Sequence, residues 1–257
     1  MSDQPESERF QKRNQTCRII ADLIEKIDKP SVMEPDPPPQ PDNAPDNQFS
    51  VDMDFLEQLA SPGPTPAGGA AAAYAGACAA SLVMMAARIT AKNPKYISAK
   101  SRMLEISYQA EILRLELFRA VQEDCNAYTN FFALNHPPVE NDEEMEFHSA
   151  ELNKARVETI RIPLQVARKC MELLNLAMIC IQEGSFSTIC DLNTANLLAE
   201  SALSASLNNA LFNLKGSTDE EFIAHVQESI SGLLSQMVNS HVKIQEIFYN
   251  RTGIRMA

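Results

Sequence analysis

Residues 98–134 read SAKSRMLEISYQAEILRLELFRAVQEDCNAYTNFFAL, and this stretch decides the fold class. It contains neither glycine nor proline, so no residue in it interrupts a helix. Apolar and amphipathic side chains recur every three or four positions, which predicts one long helix with a broad stripe facing a core. The residues of that stripe are Leu104, Tyr108, Leu115, Phe118, Val121, Cys125, Tyr128 and Phe132.

The scarcity of turn residues extends well beyond this helix. No glycine occurs between Gly76 and Gly184, and proline is rare after Pro94. Sheet proteins need turn residues about every 8–12 positions. The sequence therefore predicts an all-α protein, an up-and-down bundle of long helices.

The other helices follow from apolar spacing and from the breaks between the segments. We expect helices over residues 69–91, 147–182, 192–214 and 219–249, with Pro163 kinking or splitting the second of these. The first is rich in alanine and carries a narrow side that allows a second helix to approach closely. That side consists of Ala73, Gly76, Ala77 and Ala80.

The N-terminal part differs in composition from the rest. Residues 7–28 are amphipathic, which predicts a helical arm, and residues 30–48 are proline-rich and acidic, which predicts an extended linker. We therefore divide the chain into an arm and linker over residues 1–50 and a helical domain over residues 51–257. Residues 1–12 are polar and charged, unlike a signal peptide.

Composition limits the classes of ligand and location. The net charge of −12 argues against nucleic acid as the main partner, because phosphate binding requires a basic surface. The uncharged stretch 61–87 is mostly alanine and glycine, so a buried core helix is favoured over a membrane span. The six cysteines form no Cys-x-x-Cys pair, which predicts buried reduced thiols, no metal site and a cytoplasmic location.

Asp124 is the most informative candidate for chemistry. Its neighbours three and four positions away are Ala120, Val121, Ala127 and Tyr128, all apolar or amphipathic. A carboxylate on an apolar stripe is desolvated unless it is paired, which raises its pKa and suits it to proton transfer near neutrality. The alternative is a structural ion pair with a lysine or arginine of another helix.

Other polar residues have both a structural and a functional interpretation. Asp191 stands at the start of a predicted helix, where aspartate is a common capping residue. Asn209 and Asn213 share one helical face and need partners, either across a helix interface or on a polar ligand. Residues 62–69, which include Pro66, Gly68 and Gly69, run into the alanine-rich helix, and its first N–H groups could receive an anion or a carbonyl.

Taken in order, these segments resemble the family of formimidoyltetrahydrofolate cyclodeaminases and methenyltetrahydrofolate cyclohydrolases. The resemblance covers residues 52–250. The matching segments are FLEQLASP at 55–62, TPAGGA at 65–70, ED at 123–124, IPL at 162–164, CDL at 190–192 and NALFNL at 209–214. It implies that Asp124 is the active-site aspartate, with Pro66, Gly68, Gly69, Asp191, Asn209 and Asn213 binding the ligand.

The resemblance also implies an activity and an assembly. The expected reaction is the hydrolytic ring opening of 5,10-methenyltetrahydrofolate to 10-formyltetrahydrofolate, with the tetrahydrofolate derivative as substrate and no metal. The alternatives are cyclodeamination of 5-formimidoyltetrahydrofolate, or a non-catalytic relative that binds folate or scaffolds partners. Ala67 and Ala70 replace a glycine and a serine of the family loop, and Pro137-Pro138-Val139 replaces Leu-Pro-Lys, which favours the last alternative. The retention of Asp124, Asp191, Asn209 and Asn213 opposes it. A homodimer is implied, with its ligand cleft near the subunit interface.

Overall fold

A computed structural model describes residues 53–135 and 142–254 of the 257-residue chain, with side chains from residue 148 onward in the second range. Both ranges are helical and contain no strand, which confirms the all-α prediction for this part of the chain. The helices are α1 (Met53–Ala60), α2 (Gly68–Lys92), α3 (Lys100–Leu134), α4 (Asp142–Glu183), α5 (Ile189–Leu214) and α6 (Glu220–Thr252).

Four of these helices enclose the core. α2 packs against α3 and α5, and α4 packs against the same two helices from the other side. Short connections join them in sequence, two of which include 3-10 turns at Pro94–Ala99 and Phe186–Thr188. α6 lies mainly on α4. This arrangement confirms the predicted bundle of long helices.

The narrow side of α2 is the centre of the bundle. Ala73 and Ala80 are fully buried, and a Cβ added to Gly76 would lie 3.0 Å from Cys170 Sγ and 3.3 Å from Leu117 Cδ1. The predicted close approach of neighbouring helices is therefore present. α2 is the one described helix with the length and apolar composition of a membrane span, and more than half of its apolar window is buried inside the bundle.

Pro163 does not divide α4, contrary to one of the two expectations. The helix continues from Asp142 to Glu183 with Pro163 inside it. Proline has no N–H to donate to the carbonyl four residues earlier, that of Thr159. Asn213 of α5 donates its Nδ2–H to that carbonyl at 2.8 Å, which replaces the missing hydrogen bond. A side chain from a neighbouring helix therefore compensates for the proline.

The predicted core stripe of α3 was wrong for six of its eight residues, whereas Val121 and Cys125 are half-buried and Val121 packs against the core. Tyr108 and Phe118 are 66% and 57% exposed, and Leu104, Leu115, Tyr128 and Phe132 are exposed as well. The face that packs inward consists of Met103, Ile106, Ser107, Ala110, Leu113, Leu117 and Ala120. The alanine-rich α2 lies close to α3, and the space between them is filled by aliphatic and small side chains such as Leu117 and Ala110. The aromatic side chains of Tyr108 and Phe118 face outward.

The cysteine prediction was right for two residues and wrong for two. Cys170 and Cys180 are buried, and burial raises the pKa of each thiol to about 12. Cys78 and Cys190 are exposed instead, because they lie on the outward sides of their helices. Cys17, the predicted arm over residues 7–28 and the predicted linker over residues 30–48 all lie outside the described residues.

Candidate active site

Asp124 of α3 caps the N-terminus of α2. The N-cap residue of α2 is Ala67, whose side chain makes no capping hydrogen bond. Asp124 accepts a hydrogen bond from the backbone N–H of Ala70 instead. A Cβ added to Gly69 would lie 2.3 Å from Asp124 Oδ1, so only glycine permits this approach. The carboxylate thus lies where a helix N-terminus favours negative charge.

Burial of Asp124 determines its protonation. Desolvation raises the pKa of the carboxyl group from 3.8 to about 6, although the Ala70 N–H acts in the opposite direction. A carboxyl with such a pKa is mostly ionised at pH 7 and can accept a proton readily. Its charge also raises the pKa of the neighbouring Cys125 thiol, after the larger effect of burial. Within the described ranges no lysine or arginine pairs with Asp124, so the alternative of a structural ion pair has no support there.

Gly68 and Asn209 lie beside this carboxylate. A Cβ added to Gly68 would lie 3.8 Å from Asn209 Nδ2 and 3.9 Å from Oδ1, so the half-buried amide faces the start of α2. Pro66 lies two residues before the start of α2 and is joined to Thr65 by a cis peptide bond. The structure therefore brings together four of the predicted site residues, Asp124, Gly68, Gly69 and Asn209, with Pro66 in the loop that leads to them.

The other two predicted ligand-binding residues lie elsewhere. Asn213 donates to the Thr159 carbonyl, which is the interhelical hydrogen bond that the structural interpretation expects. Asp191 is exposed in the first turn of α5. It precedes Asn209 by 18 residues, roughly 27 Å along the helix axis. Within one subunit Asp191 does not approach Asp124.

Arg156 lies near this end of α3 and was not among the residues predicted from the sequence. Its guanidinium carbon lies 5.4 Å from the centre of the Phe131 ring of α3. A Cβ added to Gly216, in the turn between α5 and α6, would lie 1.4 Å from Arg156 Nη1. A surface arginine and a buried one look alike in a single sequence, and no spacing relates position 156 to positions 131 and 216.

The arrangement suits proton transfer on a polar ligand. It offers one carboxylate that titrates near neutrality, the N–H groups at the start of α2, and the amide of Asn209. Among the described residues, no group of three or more His, Cys, Asp or Glu side chains could hold a metal ion. These features define an all-α bundle in which one carboxylate, that of Asp124, is the candidate for proton transfer.

Comparison with known proteins places the chain more closely. Residues 52–232 match the model of a family described as Formiminotransferase-cyclodeaminase. The chain belongs to this family, as its sequence segments predicted. One relative, from Methylorubrum extorquens, is named Methenyltetrahydrofolate cyclohydrolase. It is 31% identical over 192 residues, which cover 75% of this chain and 92% of the relative.

Two further matches differ in how much of each protein they cover. A Formimidoyltransferase-cyclodeaminase from Rattus norvegicus is 25% identical over 71% of this chain, but the match spans only 34% of the rat protein. A crystal structure of formiminotetrahydrofolate cyclodeaminase from Thermotoga maritima superposes with a TM-score of 0.70 at 24% identity, covering 79% of this chain and 97% of that one. The last match establishes the common fold.

Proposed function

We propose that this protein hydrolyses 5,10-methenyltetrahydrofolate to 10-formyltetrahydrofolate. Membership of the family and the relative named Methenyltetrahydrofolate cyclohydrolase, which is matched over nearly its whole length, support this reaction. The observation that carries the proposal is the Asp124 carboxylate, which has a pKa of about 6 and lies against the start of α2.

The proposed mechanism requires one proton acceptor. The methenyl carbon carries the positive charge of the substrate, so a water molecule adds to it as Asp124 takes a proton from that water. The hydroxyl group on this carbon then loses its proton as the bond to N5 breaks, N5 gains a proton and a formyl group remains on N10. One proton is released for each turnover. Because the substrate is already electrophilic, activity is expected to survive treatment with EDTA.

The test is the loss of methenyltetrahydrofolate absorbance with purified protein, corrected for spontaneous hydrolysis. Asp124→Asn preserves the shape but removes the proton acceptor, so turnover should fall by about 10²–10⁴. Glu123→Gln removes the exposed neighbouring charge and serves as the matched control. Parent-like turnover in Asp124→Asn would exclude Asp124 as the base, and an inactive parent protein would exclude the proposed reaction.

The same purified protein distinguishes the alternatives. A cyclodeaminase releases ammonia from 5-formimidoyltetrahydrofolate, which a coupled assay detects. A non-catalytic relative would bind a folate and convert neither compound. The greater identity and coverage of the cyclohydrolase relative favour hydrolysis over cyclodeamination.

We also propose that the protein is a cytoplasmic homodimer. The exposed apolar face of α3, formed by Leu104, Tyr108, Leu115 and Phe118, supports the dimer, because isolated monomers rarely expose a continuous row of large apolar side chains. Free cysteines are consistent with a reducing compartment. Phe118→Glu should convert the dimer to a monomer in sedimentation velocity experiments. A parent protein that sediments as a monomer would contradict the proposal.

A further inference from the structure

Arg156 has no carboxylate partner within the described residues. Its side chain is half-buried, and its Nε is fully buried without a hydrogen-bond partner. The contact that the structure gives its guanidinium is with the face of the Phe131 ring, at 5.4 Å. Buried charged donors are normally paired, so this arginine requires an explanation.

The other charged side chains around Arg156 are already engaged. Arg156 and its charged neighbours Lys154, Glu158 and Asp219 border a cavity of about 400 Å³. Ser217 and Phe222 also line it. Lys154 binds Glu151 at 2.7 Å, and Glu158 accepts two hydrogen bonds from Arg161 Nε at 2.9 and 3.1 Å. Asp219 accepts the Phe222 N–H at 3.0 Å. Arg156 is therefore the charge at this cavity that remains available for a ligand.

Gly216 makes room for the guanidinium. An added Cβ would lie 1.4 Å from Nη1 and 2.6 Å from Cζ, so any larger residue would displace the arginine head. No positive φ angle is involved at this glycine. The glycine is thus explained by the close approach of Arg156, and it provides a way to move the charge without removing it.

The position of Arg156 relative to Asp124 suggests the ligand. Phe131 follows Asp124 by seven residues of α3, about 10 Å along the axis, and Arg156 lies on its ring. In a tetrahydrofolate, one benzene ring and one amide separate N10 from the glutamate carboxylates, roughly 10 Å by standard bond lengths. A substrate with its reacting carbon at Asp124 can therefore extend its tail to Arg156.

We propose that Arg156 binds the glutamate carboxylates of the folate, an inference that rests on the proposed function for the identity of the ligand. The planar guanidinium can pair with a carboxylate through two parallel hydrogen bonds from its Nη1 and Nη2 groups, while the buried Nε stays within the protein. Arg156 thus fixes the tail of the substrate, while Asp124 acts on the opposite end.

Binding is measured by calorimetry with two probes, 5-formyltetrahydrofolate and an analogue that ends in an uncharged benzamide in place of the glutamate. Arg156→Met should weaken binding of the first probe by about 10- to 100-fold, the usual effect of losing hydrogen bonds to a charged group. Binding of the second probe should remain unchanged. Gly216→Ala keeps the charge but displaces it, so it should show the same selective loss. Arg168→Met, which removes an exposed arginine bound to Ser229, is the matched control.

Kinetics and stability provide independent measurements. Arg156→Met should raise KM for methenyltetrahydrofolate with little change in kcat, because the tail contact is the same in the ground and transition states. If Arg156 has a structural role, Arg156→Met should lower the unfolding midpoint. If Arg156 serves only to bind the ligand, the midpoint should not change, because the side chain makes no protein hydrogen bond within the described ranges.

Each result decides between the two proposals. If Arg156→Met binds both probes as the parent does, or if the parent binds neither probe, the carboxylate site is excluded. If the parent prefers the glutamate-bearing probe through Arg156 but does not hydrolyse methenyltetrahydrofolate, the carboxylate site stands and the proposed reaction fails.

Discussion

Gly69→Ala tests whether the close approach of Asp124 to α2 determines activity. The added methyl carbon would lie 2.3 Å from Oδ1, 2.5 Å from Oδ2 and 2.6 Å from Cγ of Asp124. Carbon and oxygen atoms in contact are normally about 3.3–3.6 Å apart. The carboxylate must therefore retreat by about 1 Å, and it loses the hydrogen bond from the Ala70 N–H.

The expected effects on activity and on stability differ in size. A displacement of about 1 Å at a reacting group can cost about 10²-fold in rate. The loss of a helix cap costs about 1 kcal/mol, and replacing glycine by alanine within a helix returns up to about 1 kcal/mol. Turnover of methenyltetrahydrofolate should thus fall by about 100-fold, while the free energy of unfolding should change by less than about 1 kcal/mol.

The two quantities are measured by the absorbance assay and by urea denaturation. Gly232→Ala is the control, because no atom lies within 4 Å of its added Cβ. It should retain full activity and gain a little stability. If Gly69→Ala turns over at the parent rate, the contact between Asp124 and the start of α2 has no part in catalysis. If it unfolds, Asp124 acts chiefly as a structural cap.

Three further predictions follow from the described contacts. Turnover, corrected for spontaneous hydrolysis, should rise as pH increases through about 6 and then level off, because the Asp124 carboxylate is the active form; a decline over this range in the pH–rate profile would contradict it. Because the pKa of Asp124 rises from 3.8 to about 6 on folding, the folded protein keeps a proton on this carboxyl group between pH 3.8 and 6 that the unfolded chain has lost. The contribution of Asp124 to stability therefore decreases as pH rises through that window. Asp124→Asn should therefore increase the free energy of unfolding at pH 8 by at most about 3 kcal/mol and change it little near pH 4, as measured by denaturation at both pH values. Gly76→Ala should lower the free energy of unfolding by about 1–3 kcal/mol through overpacking, because its Cβ would lie 3.0 Å from Cys170 Sγ. An unchanged urea midpoint would show that α2 and α4 can move apart to accommodate the methyl group.

The spacing of residues along the sequence predicted those features that are determined within a single helix. The small side of α2 was predictable because alanine and glycine recur at helical spacing, and Asp124 was predictable because its neighbours on the same helix are apolar. The core face of α3 was not predictable from its own pattern. Which side of an amphipathic helix faces the core depends on the helix opposite, and the small side chains of α2 favour the face of Ala110 over that of Tyr108.

The predicted set of site residues was incomplete because it depends on how the helices pack against one another. Asp191 and Asn209 were grouped by family resemblance, but they lie 18 residues apart on α5. Arg156 was missed because its role depends on Phe131 and Gly216, which come from two other parts of the chain. Contacts of this kind are visible only after the helices have been assembled.

The hydrogen bond from Asn213 to Thr159 has a consequence for the alignment of α5. If α5 moved by one residue, its side chains would rotate by about 100° relative to α4. The carbonyl freed by Pro163 would then lose its partner, at a cost of about 1–3 kcal/mol. Asn209, one turn before Asn213, would leave Gly68 in the same movement. The proline of α4 therefore sets the rotational phase of α5, and with it the position of the Asn209 amide beside Gly68, next to the glycine that Asp124 approaches.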